Sequence, residues 1–211
     1  MNNNQKNIEN AFYSDGYKLG MNVAVSDNNQ SVLFDSISEM YELIDNFNES
    51  LSEFAKKHNQ QIDCKKGCEW CCHQPVFALD YEMDYLVGFI KNNFDKVAQK
   101  EIIARANNKN SKLSFLNETD LLNSKFPCPL LLNGACIAYK ARPMACRIYL
   151  SHNVKSCLQF YKNPGNETSI PALLNLPLRS GQMMNEGFKS ALKTAGVSTR
   201  EFRIEEKLLE I

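Results

Sequence analysis

Cysteine is the residue type through which this chain is best equipped for chemistry. Eight cysteines fall into two blocks of four: the first block is Cys64-x3-Cys68-x2-Cys71-Cys72, and the second block is Cys128-x7-Cys136-x9-Cys146-x10-Cys157. Spacings of two or three residues let successive thiolates turn back onto one metal centre, because a tight loop brings their sulfurs together without backbone strain. The sequence therefore predicts all eight cysteines as metal ligands.

The number of metal centres stays open at this level. Eight thiolates suffice for two tetrahedral sites, or for one cluster of four with the other cysteines structural. The side chains of the adjacent residues Cys71 and Cys72 are expected to diverge, so that one of them serves a second centre.

A turn signal in the second block bears on how its thiols are grouped. Asn133-Gly134 between apolar residues predicts a very short β-hairpin with Leu130 to Leu132 on one arm. In an ideal hairpin Cys136 lies opposite Leu131, and strand alternation puts Cys128 on the other face. Either the first arm is irregular at its prolines, which we expect, or Cys128 and Cys136 serve different sites.

Positive charge accompanies both blocks, with Lys65 and Lys66 in the first and Arg142 and Arg147 in the second. A four-thiolate centre, whether zinc or an oxidised cubane cluster, carries about two negative charges that nearby cations stabilise. We therefore predict that Arg142 and Arg147 contact the metal cofactor, with surface ion pairing as the alternative. His73 is a candidate nitrogen ligand, although a capping or exposed histidine is the commoner case.

Composition narrows the class of protein. The 211 residues carry 24 Lys+Arg and 24 Asp+Glu, a balance that favours neither nucleic acid nor anionic lipid as a partner. No stretch approaches the roughly 20 apolar residues of a membrane span, and no export signal is visible. Eight cysteines without an export signal indicate a reducing compartment, where thiols serve metal or redox chemistry. We expect a cytoplasmic protein.

The elements that must position the cysteines are mainly helices. Apolar residues spaced alternately by three and four predict a long amphipathic helix over residues 31–57, whose heptad-like stripe could serve a protein partner. Further helices are predicted over residues 80–93, 95–107 and 180–195, with an extended segment at 170–178. The fold class predicted is mainly α: a compact helical domain with two cysteine-bearing loops and one short β-hairpin.

The predicted domain organisation follows from composition. Residues 1–28 are rich in Asn with weak periodicity, so we expect a flexible, mobile or extended lead-in there. Residues 29–211 are predicted to form a single helical metal-binding domain, with the cysteine core at 61–160.

The order of these motifs resembles the YkgJ-type cysteine-cluster family, the CxxCxxCC family described as a zinc- or iron-chelating domain. The resemblance covers residues 61–160 and implies that the protein binds a metal ion or cluster. It also implies a distant relation to flagellin lysine N-methylase, which looks like a user of S-adenosylmethionine and an iron-sulfur cluster. The matching motifs are Cys64 to Cys72, Cys128-Pro129-Leu130-Leu131, the Asn133-Gly134 turn, Cys136-x2-Tyr139-x2-Arg142-Pro143-x2-Cys146-Arg147, and the downstream Cys157.

Three functions remain open. The vicinal cysteines and the cations slightly favour an iron-sulfur protein with a redox or electron-transfer role. The alternative is a structural or interaction module stabilised by zinc. The third is an iron-sulfur methylase-like enzyme that uses S-adenosylmethionine. The segment Cys64-x3-Cys68-Glu69-Trp70-Cys71 fits the Cys-x3-Cys-x-aromatic-Cys pattern of radical S-adenosylmethionine enzymes. If the protein is an enzyme, the candidates are thus an iron-sulfur oxidoreductase or an S-adenosylmethionine-dependent transferase.

Substitution of one cysteine in each block tests the ligand assignment. Cys68→Ser and Cys146→Ser should each lower the metal content of protein purified without oxygen, because a serine hydroxyl replaces a thiolate ligand. Elemental analysis against the unsubstituted protein measures this. If neither variant loses metal, the assignment is wrong.

Overall fold

The computed structural model describes residues 3–65 and 67–211 as nine α-helices with short strands and 3-10 turns between them. The helices are α1 (Asn3–Ala24), α2 (Gln30–Lys57), α3 (Asp80–Asn93), α4 (Lys96–Leu113), α5 (Glu118–Asn123), α6 (Met144–Arg147), α7 (Val154–Lys162), α8 (Asn175–Thr194) and α9 (Ile204–Lys207). The strands are β1 (Phe77–Leu79), β2 (Leu131–Leu132), β3 (Ala135–Cys136) and β4 (Glu201–Arg203). None of these described helices combines the length and apolar character needed to cross a membrane.

The mainly α fold class is confirmed, and so is the short hairpin. Strands β2 and β3 pair antiparallel with Leu131 opposite Cys136, the register that the turn signal predicts. Asn133 and Gly134 have φ angles of 50° and 75°, the left-handed values that a two-residue hairpin turn requires. The antiparallel pair β1–β4 is not predicted, because its three-residue strands come from distant parts of the chain.

The chain divides into two compact units that are each discontinuous in sequence. The helical unit comprises the described residues of Met1–Gln61, Met144–Leu150 and Leu174–Arg200. The cysteine unit comprises those of Ile62–Pro143, Ser151–Leu173 and Glu201–Ile211. Neither unit begins at the boundary after residue 28 that composition suggests, and the single domain over residues 29–211 stays a prediction.

In the helical unit, α1 occupies most of the segment for which the sequence predicts a mobile or extended lead-in. This helix packs against α8 through Gly16 and Gly20, where a Cβ atom would lie 1.9 Å from Met184 O and 2.6 Å from Phe188 O. Glycine and asparagine are poor helix formers, so neither propensity nor apolar spacing reveals the helix. Contact between the two helix backbones stabilises it instead.

The other two long helices of this unit follow the sequence pattern more closely. Helix α2 confirms the predicted helix over 31–57, and its apolar stripe is buried at Ile37, Met40 and Ile44. Helix α8 begins at Asn175, so the extended conformation predicted for 170–178 is wrong in its second half. Pro177 fits there because the first-turn N–H groups of a helix have no intrahelical acceptor.

In the cysteine unit, α3 and α4 pack with the hairpin, α9 and a 3-10 turn (Tyr139–Ala141) around one apolar core. The thiols of Cys72, Cys128 and Cys136 belong to this core or pack against it. Helix α7 is not predicted from the sequence, although it carries Cys157. The core residues are Ala78, Met83, Leu86, Ile90, Ile102, Ala106, Cys128, Leu130, Ala138, Ala141, Ile204 and Leu208.

A single methyl group should disturb the α1–α8 contact. A Cβ atom at Gly187 would lie 2.1 Å from Tyr13 O, so Gly187→Ala should lower the free energy of unfolding by about 1–3 kcal/mol. This loss is expected although alanine raises helix propensity by about 1 kcal/mol. Thermal unfolding measures the change, with Gly165→Ala as control because no atom lies within 4 Å of that site. Equal stability of both variants would contradict the close helix contact.

Candidate metal site

The first cysteine of the chain is held beside the start of α7. The backbone N–H of Asp63 donates to Ser151 O at 3.0 Å, and the N–H of Ser151 donates to Cys64 Sγ at 3.1 Å. The N–H of Val154 donates to Asp63 Oδ2 at 2.8 Å. Cys157 lies one turn farther along α7, so these bonds bring Cys64 and Cys157 together from opposite blocks.

The rest of the first block forms a turn and a 3-10 helix (Trp70–His73). The rings of Trp70 and His73 contact the ring of Tyr161 on α7, with centroids 5.3 Å and 5.0 Å apart. His73 Nδ1 also lies 3.1 Å from Glu69 O, a contact that leaves Nε2 unassigned, and metal ligation by this histidine stays a prediction. The predicted cation Lys66 lies outside the described residues.

One backbone hydrogen bond joins the first block to the second. Cys128 N–H donates to Cys72 O at 2.7 Å, and Cys128 O accepts from Leu131 N–H at 2.9 Å in a tight turn. Strand β2 therefore begins only at Leu131, and the arm is irregular at its prolines as the sequence predicts. Because Cys128 lies outside the strand, hairpin alternation does not separate it from Cys136.

Three thiols from the two blocks form what we call the three-thiol group: Cys64, Cys68 and Cys157. Burial raises the pKa of the Cys64 thiol, and negative charge on Cys68 and Cys157 raises this pKa further. Burial likewise raises the pKa of Cys68, with contributions from Cys157 and from Cys72, which lies nearby in the first block. Mutual repulsion of this kind shows that the three sulfurs share one electrostatic environment.

A second set, the four-thiol group, consists of Cys71, Cys72, Cys128 and Cys136. A side-chain hydrogen bond from Cys71 lowers the pKa of Cys72 to about 7, and this pair therefore does not diverge as predicted. Rotation about the two Cα–Cβ bonds can turn neighbouring sulfurs towards each other. Burial raises the pKa of Cys128 to about 12, with a smaller upward contribution from Cys136.

Two cations act on the four-thiol group. Lys109 and Arg142 both lower the pKa of Cys72, whereas Glu69 raises it. Lys109 also lowers the pKa of Cys128 against the larger effect of burial. The guanidinium of Arg142 lies 3.7 Å from the ring centroid of Tyr139, which fixes this cation within the cysteine unit.

The remaining predicted site residues, Cys146 and Arg147, lie on α6 in the helical unit. Arg147 is 1% exposed, forms an ion pair with Asp45 and lies 3.9 Å from the ring centroid of Tyr41. These contacts account for its burial within that unit. Contact of Arg147 with a metal cofactor stays a prediction, as does metal ligation by Cys146.

The cysteine sulfurs have the chemistry that ligands of a chelated metal require. None of the eight cysteines forms a disulfide, so their sulfurs are available as thiolates. Within residues 3–65 and 67–211, no three His, Cys, Asp or Glu side chains are already arranged around a metal position. Binding would therefore have to replace thiol protons and draw neighbouring sulfurs inward, as metal binding coupled to folding commonly does.

Sequence reasoning missed two residues that shape this site. Ser151 gives no signal, because its backbone N–H and not its side chain contacts Cys64. Lys109 does give a sequence signal, because it continues the helical spacing of the buried residues Ile102 and Ala106 on α4. A lysine at an apolar position of a helical stripe could have been flagged as a buried cation.

A mainly helical chain whose thiols converge from two separate blocks belongs to the class of cysteine-cluster metal-chelating proteins. The family model CxxCxxCC, described as "Putative zinc- or iron-chelating domain", matches residues 63–166. Residues 63–166 thus resemble this family's domain, which confirms the resemblance seen in the motifs. No curated protein and no solved structure matches the chain, and the relation to flagellin lysine N-methylase stays a prediction.

The contact between Cys71 and Cys72 predicts a thiolate that forms near neutral pH in metal-free protein. As pH rises through about 7, Cys72 should lose its proton, while Cys128, at about 12, stays protonated. Cys71→Ala should raise the pH at which Cys72 loses its proton, because the substitution removes the hydrogen bond. Cys71→Ser should raise this pH by less. Ultraviolet thiolate absorbance during a pH titration measures both. An unchanged step in Cys71→Ala would show that the bond is absent.

Proposed function

We propose that this protein chelates metal at two thiolate centres, one on the three-thiol group and one on the four-thiol group. The observation that carries this proposal is that each group draws thiols from both cysteine blocks. Cys64 and Cys68 combine with Cys157 in one group, and the Cys71-Cys72 pair combines with Cys128 and Cys136 in the other. A metal in either centre would tie distant parts of the chain together.

The four-thiol group suits a closed structural centre. Four thiolates complete a tetrahedral coordination shell, the arrangement of structural zinc sites. Apolar side chains pack around Cys128, which is 9% exposed, and this core would shield bound metal from water. The centre would hold the hairpin against the 3-10 helix, where the protein already has the Cys72–Cys128 hydrogen bond.

The contact between Cys71 and Cys72 favours zinc in this group over the iron-sulfur cluster that the sequence slightly favours. Tetrahedral bonding at about 2.3 Å from zinc separates neighbouring sulfurs by about 3.8 Å, a hydrogen-bonding distance for two thiols. The cysteine sulfurs of a cubane cluster bind different irons and lie farther apart. Two vicinal thiols in hydrogen-bond contact are therefore better suited to one ion.

An iron-sulfur centre with a redox role is the second candidate, and the three-thiol group is the better place for it. Three thiolates leave one iron of a cubane cluster, or the fourth position of a zinc ion, for another ligand.

Metal analysis of protein purified without oxygen tests both candidates. We expect two equivalents of metal, with zinc bound by the four-thiol group. Cys136→Ser should remove one equivalent and Cys64→Ser the other, because each substitution opens a different group. Colour, iron and acid-labile sulfide lost only in Cys64→Ser would support a cluster in the three-thiol group.

The same measurement can contradict the proposal in two ways. Folded wild-type protein without metal would exclude chelation at both groups. Loss of both equivalents in either single variant would show that the seven thiols form one centre instead of two. Circular dichroism of each variant confirms that the chain remains folded during the comparison.

A further inference from the structure

Lys109 is a cation whose side chain is buried on α4. Its side chain on α4 is 3% exposed, and its Nζ atom has no hydrogen-bond acceptor among the described residues. The nearest ion-pair partner is Glu205 Oε2 at 3.7 Å. Burial of an ammonium group is unfavourable unless anions and hydrogen-bond acceptors replace its water, so a further anionic partner is implied.

Glu205 serves another cation as well as Lys109. Its Oε1 lies 3.1 Å from Arg203 Nε, and the carboxylate is fully buried. Arg203 in turn donates to Glu206 Oε1 at 2.6 Å and to Asn110 Oδ1 at 2.9 Å. These contacts fix Glu205 in place, and Glu205 restrains the Lys109 ammonium without satisfying its N–H groups.

The position of Lys109 on its helix directs it towards the cysteine core. Ile102 and Ala106 lie on the same face of α4 and belong to the core that includes Cys128. The charge of Lys109 acts on both Cys72 and Cys128, one thiol from each block. The unsatisfied N–H groups of Lys109, its burial and its position on α4 therefore all indicate the thiols of the four-thiol group as its partner.

We propose that Lys109 is the counter-ion of the four-thiol centre, a positioning residue whose ammonium group stabilises the bound thiolates. This inference rests on the proposed function and assigns it a residue outside the cysteine motifs. When a divalent ion binds, the thiols release their protons to water, and four thiolates leave the centre with two net negative charges. Lys109 would offset part of this charge.

Zinc titration against a competing chromophoric chelator tests the role of Lys109. In Lys109→Met the affinity of one zinc equivalent should fall about 10–100-fold, the usual effect of losing a group that supports a metal ligand. The affinity of the other zinc equivalent should be unchanged. Lys109→Arg, which keeps the charge, should retain part of the lost affinity. Lys112→Met is the matched control, because it makes the same substitution at an exposed site on the same helix.

A double variant separates this role from simple pairing with Glu205. Lys109→Met leaves the buried Glu205 with less compensation and should therefore reduce stability, whereas Lys109→Met/Glu205→Gln removes both charges. If Lys109 is the counter-ion, zinc affinity stays low in the double variant even where thermal stability of the metal-free protein recovers. Recovery of affinity in the double variant, or unchanged affinity in folded Lys109→Met, would overturn the inference. Wild-type protein that binds no zinc would instead overturn the proposed function itself.

Discussion

The hydrogen bond from Cys128 N–H to Cys72 O is the constraint on which the arrangement of the thiols depends. It joins the 3-10 helix of the first block to the chain just before the hairpin. The hairpin turn at Asn133-Gly134 then brings Cys136 back opposite Leu131 and against the same core. Because a buried backbone N–H needs an acceptor, this bond holds Cys128 against Cys72 without a bound metal.

Burial of the thiols disfavours their ionised form, and nearby groups in the cysteine unit offset this effect. An apolar environment favours the protonated form, and burial raises the pKa of Cys128 to about 12, yet metal ligation requires the thiolate. The hydrogen bond from Cys71 and the charges of Lys109 and Arg142 act in the opposite direction at Cys72. The same core that excludes water thus also supplies the groups that can stabilise ionised sulfur.

The arginines of the Arg-Pro-x2-Cys-Arg motif have different surroundings in the two units. Arg142 lies in the cysteine unit against Tyr139 and acts on Cys72. Arg147 is buried in the helical unit, where Asp45, Tyr41 and the Asn48 amide that donates to its carbonyl oxygen surround it. A compact sequence motif can therefore combine a residue whose charge acts on a thiol with a residue that stabilises helix packing within the helical unit.

The sequence by itself determined the long helix α2, the hairpin register and the family, because each depends on local spacing. Apolar periodicity, the Asn133-Gly134 turn and the cysteine intervals are all encoded within short segments. Only the tertiary structure decided that α1 is a helix, since its stability comes from glycine contacts with α8. It also decided how the thiols divide, because Cys157 reaches Cys64 through the backbone of Ser151, and Lys109 acts on thiols that are distant in sequence. Such contacts depend on backbone groups and burial, which residue spacing along one segment does not record.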